Sequence, residues 1–147
     1  MSSQFPSIGR RDQGRRLLTD RRGAALIEMA LVLPVLMLLV MGIIVFGEWL
    51  SFANALQQSA NEGARASLSG LSQDERALTA RQTVVDSLSH YDGIDQSKVA
   101  IGIQDDGATV KVTVNYDMSD QPVMKLPFVP IPDKTISRSS AVRLSSF

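Results

Sequence analysis

Two hydrophobic periods and one unbroken apolar block organise this chain. From Met29 to Gly47 it reads MALVLPVLMLLVMGIIVFG, nineteen residues without a charge, sixteen of them apolar and the others Pro34, Gly42 and Gly47. At about 1.5 Å rise per residue such a helix reaches about 28 Å, close to the roughly 30 Å hydrocarbon core of a bilayer. Beyond Trp49 the pattern changes without stopping. Leu50, Ala53, Leu56, Ala60, Ala64 and Leu68 recur at steps of three or four, with Gln57, Gln58, Asn61, Glu62 and Arg65 on the other side. That spacing predicts an amphipathic continuation, hence one helix over residues 24–68 with a transmembrane segment at about 26–47. Pro34 removes the amide that would bond to Ala30, which predicts a kink or a free backbone acceptor. The segment Glu62-Gly63-Ala64-Arg65 reads either as a close-packing spot, with Gly63 its soft point, or as a frayed polar helix end.

A second helix begins at Ser72, which has capping-box spacing to Glu75, and carries Ala77, Leu78, Val84, Val85 and Leu88 before ending near His90. Tyr91-Asp92-Gly93 breaks it. From Lys98 the period becomes two. Val99, Ile101 and Ile103 alternate with polar or small residues, Asp105-Asp106-Gly107 supplies a turn, and Val110, Val112, Val114 and Tyr116 alternate again. This predicts an antiparallel hairpin with one buried face. Gln121–Pro132 holds Pro122, Pro127, Pro130 and Pro132 and reads as an extended connection, followed by a last strand over Thr135–Ser145 with Ile136, Val142 and Leu144. The fold class is therefore α+β: a long N-terminal helix packed on a small antiparallel sheet with one short extra helix. Residues 1–23 form a leader, 24–68 the long helix and 69–147 a small domain beyond the membrane.

Charge adds an orientation. The chain of 147 residues has 15 basic and 15 acidic side chains, which argues against a generally basic nucleic-acid binder. The balance conceals an uneven layout. Residues 1–23 carry six arginines against Asp12 and Asp20, a net of +4, whereas residues 57–147 carry nine basic and eleven acidic groups, a net of −2. A basic head ahead of an apolar block keeps residues 1–22 in the cytoplasm and sends the tail outward. Ala53-Asn54-Ala55 has the form of a signal-peptidase site, but the apolar block exceeds the roughly 7–15 residues of a signal sequence, and Glu48 and Trp49 intervene.

The inventory for catalysis is empty. There is no cysteine and one histidine, His90, so disulfides, thiolate metal sites, cysteine nucleophiles and a histidine-rich zinc site are excluded. No glycine-rich phosphate loop and no Ser-His-Asp grouping in a plausible order is present. The chain reads as no enzyme and as needing no cofactor or metal. Asp105, Asp106 and Asp117 lack the spacing of a calcium loop and read as turn residues, and His90 reads as a helix end complementing the macrodipole.

One carboxylate stands out. Glu28 follows Arg21-Arg22-Gly23-Ala24-Ala25-Leu26-Ile27, and at full membrane depth its charge would cost about 2.5–3.5 kcal/mol. Either it lies shallow and snorkels to the headgroups, or it has a partner. If the chain is cut after Gly23, Ala24 becomes a new amino terminus and Glu28 lies one helical turn on, able to pair with an α-ammonium, its own or a packed neighbour's.

Gly-Ala-x-x-x-Glu behind a basic leader and ahead of a long apolar helix resembles the processing site of type IV pilin-like proteins. The run RRGAALIEMALVLPVLMLLVMGIIVFGEWL resembles the TadE-like family of tight adherence (Tad) pilus pseudopilins, as do Glu28–Pro34 and the stretch SANEGAR at Ser59–Arg65. The resemblance covers residues 21–147. It implies a pilin-like fold, cleavage after Gly23 by a prepilin peptidase, Ala24 as the new terminus, and Glu28 as the recognition and assembly carboxylate on a helix that keeps Pro34. The implied role is a structural minor pilin or pseudopilin, because major pilins of this system are much shorter. Its partners would be inner-membrane lipid, the peptidase, and other pilins and pilus assembly proteins. Met29 stands where an aromatic is frequent, and Ala24 replaces the aromatic first residue of better-known type IV pilins. The competing reading is an uncleaved single-pass anchor presenting a periplasmic binding or envelope-complex module.

Overall fold

The structure is a computed structural model that describes residues 21–125 and 133–144, the side chains of residues 21 and 22 excepted. The leader up to residue 20, the stretch 126–132 with Pro127, Pro130 and Pro132, and Ser145 lie outside the described residues. The chain divides into two units, Met1–Val40 and Met41–Phe147.

In the first unit the described element is the start of helix α1, Arg21–Ala66, which continues into the second unit. Leucine, methionine and alanine, all strong helix formers, dominate it. The helix runs uninterrupted past Pro34. Among the described residues, this is the one helix long and apolar enough to cross a membrane.

The second unit has a core. The later turns of α1 lead through a 3-10 turn, Ser67–Ser69, to helix α2, Gln73–Ser89. Gly70 makes the corner possible, since a Cβ there would lie 2.6 Å from the Arg76 amide nitrogen. The predicted capping box is present: the Ser72 hydroxyl accepts from the Glu75 amide at 3.2 Å, and the Glu75 carboxylate accepts from the Ser72 amide at 3.3 Å. His90 caps the other end, and Gly93, at φ +91°, turns the chain beneath Phe52.

Three strands follow: β1 Val99–Asp105, β2 Thr109–Asp117 and β3 Thr135–Arg143. They form an antiparallel meander in chain order, with Ile101 opposite Val114 and Tyr116 opposite Ile136. Val110, Val112, Val114 and Tyr116 of the central strand are fully buried, as period two requires. Val99, Ile101 and Ile103 of the edge strand β1 are half-buried. Over this face lie Phe52, Leu56, Ala60 and Ala64 from α1 and Ala80, Val84 and Leu88 from α2. The Phe52 and Tyr116 rings meet edge to face, centroids 5.8 Å apart. The fold class is α+β as expected.

Three leucines depart from the expected faces. Leu50 and Leu68 are exposed because one belongs to the uncovered apolar run and the other sits in the 3-10 turn, out of the helical period. Leu78 is exposed because the buried stripe of α2 runs through Ala80, Val84 and Leu88 at steps of four. The Gly63 segment packs closely and does not fray: a Cβ at Gly63 would lie 2.6 Å from Val84 Cγ2 and 3.0 Å from the Ala80 carbonyl oxygen.

Candidate functional site

The residues singled out by the sequence share one element. Gly23 and Ala24 lie in the first turn of α1, Glu28 one turn on and Pro34 further along. Gly23 has open space where a Cβ would be, and Ala24 and Glu28 are exposed. Among the described residues, Glu28 has no hydrogen-bond or ion-pair partner. Around and beyond it the large apolar side chains from Leu26 to Phe46 are 44–72% exposed, Val45 alone being fully buried. Water does not support such a surface on this scale, since a soluble protein rarely leaves apolar patches of more than a few hundred Å² uncovered. A helix apolar all round needs lipid or other apolar helices about it. This is consistent with a membrane-anchored protein.

The remaining polar clusters are occupied with holding the fold. A groove of about 420 Å³ between α1 and α2 is lined by Gln58, Glu62, Asp86, Ser87, His90 and Tyr91. Its groups bond to one another. The Tyr91 hydroxyl donates to Gln58 Oε1 at 3.1 Å, the Gln58 amide donates to Glu62 at 3.0 Å, and His90 Nδ1 donates to the Asp86 carbonyl oxygen at 2.7 Å. The Ser87 hydroxyl and the Gln58 amide hold the Glu62 carboxyl below its usual range.

The turn aspartates likewise spend their oxygens locally. Asp106 accepts from the Ala108 and Thr109 amides at 2.9 and 2.6 Å, and these bonds lower its pKa. Asp117 accepts from the amide and hydroxyl of Ser119, which lower its pKa. Asp105 pairs with Arg76 at 2.6 Å and also accepts from the Gly107 amide; both depress it, the guanidinium first. Turn chemistry accounts for Asp106 and Asp117 and for one of the two bonds of Asp105, whose other partner is the distant Arg76. Among the described residues, no group of three acidic or histidine side chains could hold a metal ion.

Two long-range links were not legible in the sequence. The Arg76–Asp105 pair ties the start of α2 to the end of β1, with the side chains 13% and 8% exposed. Trp49 donates from Nε1 to the Asp133 carbonyl oxygen at 3.2 Å and carries the Arg138 guanidinium 5.6 Å above its ring. The position of Trp49 just past the apolar block was an available signal; nothing marked Arg138.

No curated protein and no solved structure matches the chain. A family model does, over residues 23–65, and its description is TadE-like protein. The match begins at the glycine, takes in Glu28, Pro34 and the exposed apolar turns, and stops one residue before α1 ends. Over that segment, the long helix itself, the chain is similar to the TadE-like family.

Proposed function

We propose that the protein is a structural minor pilin or pseudopilin of a tight adherence pilus. It is inserted in the bacterial inner membrane with its leader in the cytoplasm and the domain of residues 69–147 outside. A prepilin peptidase cuts after Gly23, and the subunit then joins other pilins through α1. The observation that carries this reading is the surface of α1: apolar all round, uncovered along its first half, and bearing a single unpartnered carboxylate near its start. In a bundle of such helices neighbouring side chains would cover Leu26–Phe46, and the new Ala24 ammonium of one subunit would neutralise Glu28 of another. Neutralisation removes most of the cost of a charge in hydrocarbon and fixes the axial register of the two helices. Neighbours would also satisfy the acceptor that Pro34 frees.

Amino-terminal sequencing of protein purified from membranes decides the first step. Ala24 as the first residue is expected; Met1 or Ser2 would leave an uncleaved anchor instead. Glu28→Ala is expected to reduce recovery in sheared pilus fractions at least tenfold, the loss of about 1.4 kcal/mol or more per contact, while membrane insertion stays near wild type. Equal loss of assembly and insertion would exclude the pairing of Glu28 with an amine.

A further inference from the structure

We propose that Arg138, held over Trp49, binds the phosphate of an anionic phospholipid in the leaflet on the side of the C-terminal domain. The site lies at a boundary drawn by α1 itself. Exposed large apolar side chains run along the helix as far as Phe46 and Leu50, at 47% and 54%, and the next one in the chain is Leu68. Trp49 stands at that limit, half-buried, two residues beyond the uncharged block. An indole with one apolar face and one N–H donor is suited to the level of the headgroups. Its N–H is already used, on the Asp133 carbonyl oxygen at 3.2 Å, so the ring is fixed in place.

Arg138 is the unusual member of its strand face. On β3 it falls opposite Val114, which is fully buried, and on the same side as Ile136 and Val142. Its guanidinium lies 5.6 Å from the Trp49 ring centroid and donates from one nitrogen to the Ser137 carbonyl oxygen at 2.9 Å. Among the described residues it belongs to no ion pair. Arginine has five N–H donors in a planar fork that matches two phosphate oxygens, and stacking on an indole orients that fork while leaving its edge free. Glu48, Asp133, Lys134 and Arg143 are the nearest charges along the chain, and with Arg138 they sum to +1, too little for a diffuse positive field to be the source of selection. Selection comes from the directed guanidinium, set where phosphates are concentrated.

This inference rests on the membrane-spanning part of the functional reading and on neither cleavage nor assembly. Trp49 is the only tryptophan, so its fluorescence reports on this site alone. The full chain is reconstituted in phosphatidylcholine vesicles containing a minor share of acyl-brominated phosphatidylglycerol, or the same share of acyl-brominated phosphatidylcholine. Quenching of Trp49 is expected to show a roughly fivefold preference for the anionic lipid, the scale of one basic side chain at an anionic surface. Arg138→Gln should abolish the preference while quenching by brominated phosphatidylcholine and the far-ultraviolet circular dichroism persist. Equal quenching by the two lipids in the wild-type chain would overturn the proposal whether or not the variant folds. So would a preference that survives Arg138→Gln, or one erased by soluble glycerol phosphate, which would mark a site for free anions. Absence of quenching by either lipid would overturn it too, and would also remove the spanning segment on which it stands.

Discussion

Gly63 shows how one missing side chain can set the distance between three elements. With no Cβ, α1 sits directly against Val84 of α2 and Val112 of β2. Gly63→Ala forces an atom to within 3.0 Å of the Ala80 carbonyl oxygen, which is backbone and cannot simply rotate away. Overpacking of this kind costs about 1–3 kcal/mol. Chemical denaturation followed by circular dichroism should show that loss for Gly63→Ala and none for Gly42→Ala, where no atom lies within 4 Å. The sequence marked Gly63 as notable but offered fraying and packing equally, because a glycine near a helix end suits both. Asp105, Asp106 and Asp117 were easier to read. Their partners are amides two or three residues away, or in the case of Asp105 one such amide besides the distant Arg76.

As an element, α1 is one helix with two kinds of surface. Its first half is apolar on every side, and its second half carries a stripe through Phe52, Leu56, Ala60 and Ala64 that covers the sheet. The change of period past Trp49 made this visible beforehand. The two halves should respond differently to the same substitution. Leu56→Ala removes a fully buried side chain and should cost about 2–5 kcal/mol of domain stability, read from the urea midpoint in detergent. Leu36→Ala, at a position 54% exposed, should leave that midpoint unchanged. Comparable losses at both positions would mean that the apolar half is also part of the folded core. On α2 the capping box was legible because Ser72 and Glu75 are three residues apart. Of the face read from the sequence, Val84 and Leu88 are buried and Ala77 and Val85 half-buried, whereas Leu78 is exposed and Ala80 takes its place in the core, because the position of a stripe depends on what the helix lies against.

Across the whole molecule, electrostatics sets the pH limits. Asp95, Asp105, Asp106, Asp117, Asp120 and Glu62 all have lowered pKa values, from hydrogen bonds to hydroxyls, amides, Arg76 or Lys98. A carboxylate depressed on folding stabilises above its unfolded pKa, about 4, and that stability is lost as pH falls through the folded value. Lys98 is raised, chiefly by its bond to Asp120, so its contribution is present below its unfolded pKa of about 10.4 and is lost as pH rises through the folded value. Thermal unfolding should therefore show a midpoint nearly flat from about pH 5 to pH 9, falling steeply below about pH 4. Asp105→Asn should lower the plateau and make the acid limb shallower. A midpoint that rises on acidification would contradict these assignments.

Hydrophobic period, charge order and turn chemistry act over at most a few turns, and these local quantities were enough to establish the α+β class, the apolar block, the capping box and the hairpin. They also isolated Glu28, since a carboxylate beside so long an apolar run stands out wherever the rest of the chain goes. Tertiary structure decided which faces meet. That Val84 fills the space left at Gly63, that Arg76 finds Asp105, and that Arg138 comes to rest on Trp49 depends on closing loops of 21, 29 and 89 residues. No pattern along the chain encodes a partner at such separations, because contact there is selected by the packing of the whole core and not by the propensity of either residue.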